Sequence, residues 1–187
     1  MEKKEKAILD SAREFFFRYG YKKTSMDEIA EEAGIGKGTI YNYFKNKEDL
    51  FIRTAELKRL EVLDKVRQEM GRLKRADQKM LHFTLAMVQD IREMVNKYAM
   101  SKSVLEELIL IGMDLMANRP EHIEQTAGFI QEGVEQGIFK DGDLLKKGKM
   151  LNQITKVFFL RWLTIDQQEA ETEIRDIHKL IFEGLRK

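Results

Sequence analysis

Residues 22–53 read KKTSMDEIAEEAGIGKGTIYNYFKNKEDLFIR, and the fold follows from this run. Ser25 with Glu28 three residues on is the Ser-x-x-Glu capping box that starts a helix. Ile29, Ala30 and Ala33 give that helix a buried side. Gly34 stops it, because glycine takes the left-handed backbone conformation after a helix at little steric cost. Gly34-Ile35-Gly36 then makes a tight turn that points Ile35 inward, and a second short helix begins at Lys37. The pattern predicts a helix-turn-helix.

The second helix, from Lys37 to about Phe44, buries Ile40 and Phe44 at i, i+4 spacing. Its other side carries Lys37, Gly38, Thr39, Tyr41, Asn42 and Tyr43. No acidic residue occurs from Ala33 to Lys47, although the chain has 32 acids against 33 bases. A short helix rich in Lys, Thr, Tyr and Asn, with no carboxylate of its own to repel phosphate, suits entry into a DNA major groove. A solvated polar face is the plainer reading. Two exposed tyrosines on one short helix favour a partner.

The chain has 187 residues, 35% charged and 43% hydrophobic, with one proline and no cysteine. That profile fits an all-α protein and excludes disulfides and thiolate metal sites. No apolar run reaches the length of a membrane span, and the first residues, MEKKEKAILD, lack a signal-peptide core. A cytoplasmic location is expected. The formal net charge of +1 is no signature of DNA binding, but the bases cluster locally, at Arg18, Lys22 and Lys23 and again at Lys37, Lys45 and Lys47.

Outside the opening run, a first helix is predicted from about Lys4 to Tyr19, with Ile8, Ala12, Phe15, Phe16 and Tyr19 on one stripe. Asn46 caps a long helix running to about Met70. Asp77 is read as the cap of the next helix, and Ser103 with Glu106 as the capping box of the one after it. Pro120 opens another helix that ends at Gly137. Asp143 caps a helix running to about Ile165, and a last helix covers about Glu169 to Leu185. The expected architecture is all-α: a three-helix head at residues 1–46 and a larger helical bundle at residues 47–187, about nine helices in all.

The run Thr24-Ser25-Met26-x-x-Ile29-Ala30-x-x-Ala33-Gly34-Ile35-x-Lys37-Gly38-Thr39-Ile40-Tyr41-x-Tyr43-Phe44-x-x-Lys47-x-x-Leu50 resembles the tetracycline-repressor (TetR) family of transcriptional regulators. Ala12-x-x-Phe15 and Gly20-Tyr21 belong to the same pattern. The resemblance covers roughly the first quarter of the chain. It implies a homodimer that binds a palindromic double-stranded DNA operator, most often as a repressor, and lets go when a small molecule enters the body. It further implies that Lys37, Gly38 and Thr39 lie at the groove end of the recognition helix and that Tyr41 and Asn42 reach base edges. Thr24, Ser25, Tyr43 and Lys47 would clamp phosphates. Gly36 stands where the family often has serine; as a cap glycine costs only a few tenths of a kcal/mol, but a hydroxyl contact to phosphate is lost.

The body carries a stripe of Met and aromatic residues: Met80, Phe83, Met87, Met94 and Tyr98, then Met113, Met116, Phe158 and Trp162. Phe83, Met87, Met94, Tyr98, Met113, Phe158 and Trp162 are candidate lining for a mostly apolar or aromatic effector, since methionine adapts to varied shapes. Residue by residue, plain core packing is the stronger reading. The last two helices are candidates for a four-helix dimer interface through Ile154, Phe158, Arg161, Trp162, Ile177, Leu180 and Ile181. These could equally pack inside one subunit.

An enzyme is disfavoured. His82, His122 and His178 stand alone without metal-ligand spacing, no phosphate loop or nucleophile elbow occurs, and no cofactor is implied. A helical interaction module that has lost DNA binding is the remaining alternative.

Overall fold

In the computed structural model, residues 2–116 and 119–185 are described. They form nine helices and no β-strand: α1 (Lys3–Tyr19), α2 (Met26–Glu32), α3 (Lys37–Tyr43), α4 (Lys47–Arg72), α5 (Ala76–Lys97), α6 (Lys102–Met116), α7 (Pro120–Glu135), α8 (Leu144–Thr164) and α9 (Gln167–Leu185). The side chains at 68, 113, 114 and 116 are not among those described, so the expectations for Met113 and Met116 lie outside the described residues.

The predicted helices are all present, and two of their caps differ. The α6 cap is Ser101, whose Oγ accepts from the Val104 N–H at 3.3 Å, not Ser103. Asp77 lies inside α5 rather than at its cap. It is buried, and its carboxylate takes two hydrogen bonds from Arg75, at 3.0 and 2.6 Å. A carboxylate with a guanidinium two residues away has a stronger partner than a backbone amide. Asn46 and Asp143 cap α4 and α8 as predicted, accepting from Asp49 N–H at 2.8 Å and Lys146 N–H at 2.9 Å.

The chain divides into two compact units. One comprises residues 1–60 with 93–112, the other 61–92 with 113–187. The first therefore contains the three-helix head expected at 1–46 together with the first half of α4 and much of α6. Burying the apolar faces of three short helices takes more partners than they offer one another. Ile8, Phe16, Ile29, Ile40, Phe44, Leu50 and Phe51 are buried in it. Phe17 packs edge-on against Tyr98, 5.3 Å between centroids. On α6, the Glu107 carboxylate accepts from the Lys22 N–H at 2.6 Å.

In the second unit α7 packs on α8 and α8 on α9. Its core gathers Ala76, Met80, Ile130, Phe139, Leu151 and Phe182. Phe139 is wholly buried against Gly133, where a Cβ would stand 2.1 Å from the ring. Alanine would favour the helix by about 1 kcal/mol, but overpacking a filled core costs about 1–3 kcal/mol. Glycine is the better residue there.

His178 on α9 is buried in this unit. Its Nδ1 lies 2.8 Å from the Ile174 carbonyl oxygen, its Nε2 lies 3.1 Å from Thr84 Oγ1 on α5, and its ring meets Phe182 edge-on. Burial pushes the imidazole pKa down, against a smaller upward effect of the Ile174 bond. The folded pKa thus lies below the unfolded value of about 6.5. The stability linked to neutral His178 is complete above that value and is lost as pH falls from it towards the folded pKa. The melting-temperature advantage of the native chain over His178→Gln should therefore shrink between pH 7 and pH 5. A constant difference across that range would contradict this assignment.

Candidate nucleic-acid interface

The helix-turn-helix is fixed by local bonds at both ends of α2. Ser25 Oγ accepts from the Glu28 N–H at 3.2 Å while Glu28 Oε2 accepts from the Ser25 N–H at 2.8 Å, the reciprocal capping box. Donation from the Ser25 hydroxyl, and then from its N–H, holds the Glu28 carboxyl below its ordinary range. At the other end Gly34 has φ +67°. There the Ile35 N–H reaches the Ala30 oxygen and the Gly34 N–H the Glu31 oxygen, both at 3.0 Å. This is the six-to-one and five-to-two pattern of a Schellman motif. It turns the chain within Gly34–Gly36 and sets the start of α3.

On α3, Ile40 and its C-cap Phe44 are buried, Thr39 and Tyr43 are half-buried, and Lys37, Gly38 and Asn42 are exposed. Tyr41 is 47% exposed. A Cβ at Gly38 would meet nothing within 4 Å, so the protein's own packing gives no reason for glycine there. Gly36 occupies the cap of α3 without a side-chain bond.

Thr24 and Lys47 turn inward. Thr24 is 2% exposed, and its hydroxyl donates to the Gly20 oxygen at 2.7 Å. Lys47 Nζ donates to the carbonyl oxygens of Tyr21 at 2.9 Å and Thr24 at 3.0 Å, and lies 4.4 Å from the Tyr21 ring centroid. The ring in turn packs on Phe16 and Phe51, and burial, with Glu48 nearby, raises its phenol pKa.

Two acids remote in sequence reach this surface, which reading the Ala33–Lys47 run alone misses. Lys37 Nζ pairs with Asp27 Oδ2 at 2.6 Å, and the Tyr43 hydroxyl donates to Glu2 Oε2 at 2.8 Å. These hydrogen bonds raise the pKa of Lys37 and of Tyr43. A sequence signal exists only for Asp27, which the capping-box register places on the first turn of α2.

The body candidates are dispersed. Met94 and Tyr98 are half-buried in the first unit. In the second, Phe83 lies 6.2 Å from Phe129, Met87 is half-buried, and Phe158 stacks on Trp162 at 6.0 Å. Trp162 is wholly buried. Of the interface candidates, Ile154 and Leu180 are exposed, the latter by 72%, and Ile177 and Ile181 are half-buried. Arg161 is engaged by Glu173 at 2.5 Å and Glu169 at 3.2 Å. Val157 and Met150, absent from the sequence-based set, are 75% and 53% exposed; their i, i+7 register with Ile154 between them was the available signal.

The second unit also holds a cleft of about 390 Å³. Leu85, Ala86, Val88, Ala170 and Ile174 line it together with His82, and Glu69, Arg92 and Glu171 are its charged residues. His82 Nε2 lies 2.8 Å from Glu69. No helix among the described residues is long and apolar enough to cross a membrane.

The capped α2 and the turn after it present α3 as an exposed second helix of a helix-turn-helix. Residues 8–54 match the family described as "Bacterial regulatory proteins, tetR family". That match covers the helix-turn-helix head and is the part of the chain most similar to TetR-family regulators. The chain is 54% identical over 48 residues to the uncharacterized HTH-type transcriptional regulator YhgD of Bacillus subtilis, a match spanning 26% of this chain and about a quarter of that protein. It is 27% identical over 167 residues to the fatty acid metabolism regulator protein of the same organism, covering 86% of this chain and 84% of that one. The fold is shared with Thermus thermophilus FadR, a TetR-family transcriptional repressor solved in complex with lauroyl-CoA. That likeness has a TM-score of 0.71 at 20% identity, over 98% of this chain and 96% of that one.

The inward-facing Lys47 predicts a stability effect. Lys47→Ala removes two charge-assisted bonds to carbonyls and the ring contact, and should destabilise the protein by about 1–2 kcal/mol. Thermal melting measures this, and an unchanged melting temperature would show that these contacts contribute nothing.

Proposed function

We propose that this regulator binds a palindromic operator as a homodimer, represses transcription there, and is released by an effector built on an apolar chain. The observation that carries the DNA part is the exposed outer side of α3, whose own residues include no carboxylate. In this reading Tyr41 and Asn42 meet base edges, Asn42 reading adenine through its amide. Gly38 and Thr39 allow close approach, and Lys37, Ser25 and Tyr43 meet phosphates. Thr24 and Lys47 act one step back, by holding the turn before α2. Gly36 offers its backbone alone.

Dimerisation through α8 and α9 is supported by Met150, Ile154 and Val157, at i, i+4, i+7 on α8, and by Leu180 on α9, all exposed. Exposed apolar residues in register along two adjacent helices mark an association face more often than a solvated one. Ile177 flanks it, while Phe158, Ile181 and Trp162 lie further from solvent and support it from beneath. Arg161, with its carboxylates, sits at the end of the stripe.

For the effector, the reading is a fatty acyl thioester. It is supported by the half-buried apolar side chains Phe83, Met87, Phe129 and Phe158, and by the likeness to a fatty acid metabolism regulator and to a repressor holding lauroyl-CoA.

The test begins with selection of a duplex from a random pool. The selected site should be palindromic and bound by a protein of twice the chain's mass in light scattering. Lauroyl-CoA or stearoyl-CoA at micromolar concentration should weaken that complex about 5- to 150-fold, the usual span of coupling between sites, and acetyl-CoA should not. Failure of every acyl-CoA to weaken it contradicts the effector reading. Failure to enrich any sequence contradicts the operator reading.

A further inference from the structure

The outer side of α3 has no acid of its own, yet the folded head brings two carboxylates to it. Asp27, on the first turn of α2, holds Lys37; Glu2, at the start of α1, holds the Tyr43 hydroxyl. Lys37 and Tyr43 are the two α3 side chains assigned above to phosphates, so this inference rests on the DNA-binding reading. We propose that Asp27 and Glu2 are charge-compensating residues of the interface, which occupy the phosphate-binding groups of the free head and thereby limit sequence-independent binding to DNA.

The geometry fits that role. An ammonium 2.6 Å from a carboxylate oxygen and a phenol hydroxyl 2.8 Å from another have the donor and acceptor arrangement that each would make with a phosphate oxygen. A duplex can replace the carboxylates without re-aiming the donors. Both partners of the Lys37–Asp27 pair are well exposed, 67% and 54% at the side chain. Exposed pairs are worth little, so a duplex can open this one. The displaced carboxylates then stay beside the DNA backbone and repel it.

The charge count gives the consequence. Lys37 with Asp27 contributes no net charge to the face, and Glu2 subtracts one. Non-specific binding is almost wholly electrostatic, its log affinity falling with log salt at about 0.9 per phosphate neutralised. Each acid on the face therefore lowers the effective number of phosphates neutralised. Binding to the operator keeps its base contacts through Tyr41 and Asn42, which do not depend on these acids.

Salt titrations of binding to a random-sequence duplex, with the native chain, Asp27→Asn and Glu2→Gln, test this. Each variant should steepen the log–log slope by about 0.9 for each head on the duplex and tighten binding about twofold to fivefold per head at low salt. Asp27 also lies in the first turn of α2, so thermal melting of each variant is measured alongside. Should Asp27→Asn melt early, Glu2→Gln decides. Unchanged slopes in variants that melt like the native chain overturn the proposal, as does weaker binding. A native chain that forms no salt-sensitive complex with any duplex instead overturns the DNA-binding reading beneath it.

Discussion

The Lys47 ammonium, at the first residue of α4, holds the turn that precedes the helix-turn-helix. Its bonds to the carbonyls of Tyr21 and Thr24 tie the start of the long helix to the loop between α1 and α2. Tyr21 lies beneath it, wedged between Phe16 and Phe51. The carbonyls of that turn have no helical N–H to accept from, and a lysine head offers three donors at one point. Glu107 holds the same turn at the Lys22 N–H, and the Thr24 hydroxyl closes it on Gly20. With the turn set, Ser25 and Glu28 start α2, Gly34 ends it, and α3 is presented by Ile40 and Phe44 in the core.

The electrostatics of this head differ from the plain image of a basic DNA-binding surface. A chain with net charge +1 can still bind a polyanion if its bases are local, and Asp27 and Glu2 offset part of that local charge at Lys37 and Tyr43. Their pairs are exposed, and solvent keeps them weak. The free protein therefore holds the Lys37 ammonium and the Tyr43 hydroxyl, the phosphate donors of the proposed complex, in place at little energetic cost to exchange. In the proposed complex, affinity then depends more on contacts of α3 with base edges and less on the charge of the backbone.

How much of this was legible in the sequence follows from the range of each interaction. The nine helices of the described residues, the Ser25–Glu28 box and the Gly34 stop are set by residues within a turn of one another, and they could be read directly. Where two serines stood close before α6, local pattern could not choose between Ser101 and Ser103, and Asp77 looked like a cap because its ion pair with Arg75 is a geometric fact. The direction of Lys47 could not be read either, since its carbonyl partners lie 26 and 23 residues away. Neither could the approach of Glu2 to Tyr43 across 41 residues. In the body the apolar stripes were visible, but which side each faced was not. Trp162 and Val157, five residues apart on α8, are wholly buried and 75% exposed.

The central claim is that the outer side of α3 meets DNA. Hydrogen–deuterium exchange of the 187-residue chain, with and without a saturating operator duplex selected from a random pool, tests it most directly. Slowed exchange in peptides covering residues 24–47 is the predicted result, because the duplex excludes solvent from the recognition helix and stabilises the turn behind it. Unchanged exchange there, with protection confined to α8 and α9, would contradict it.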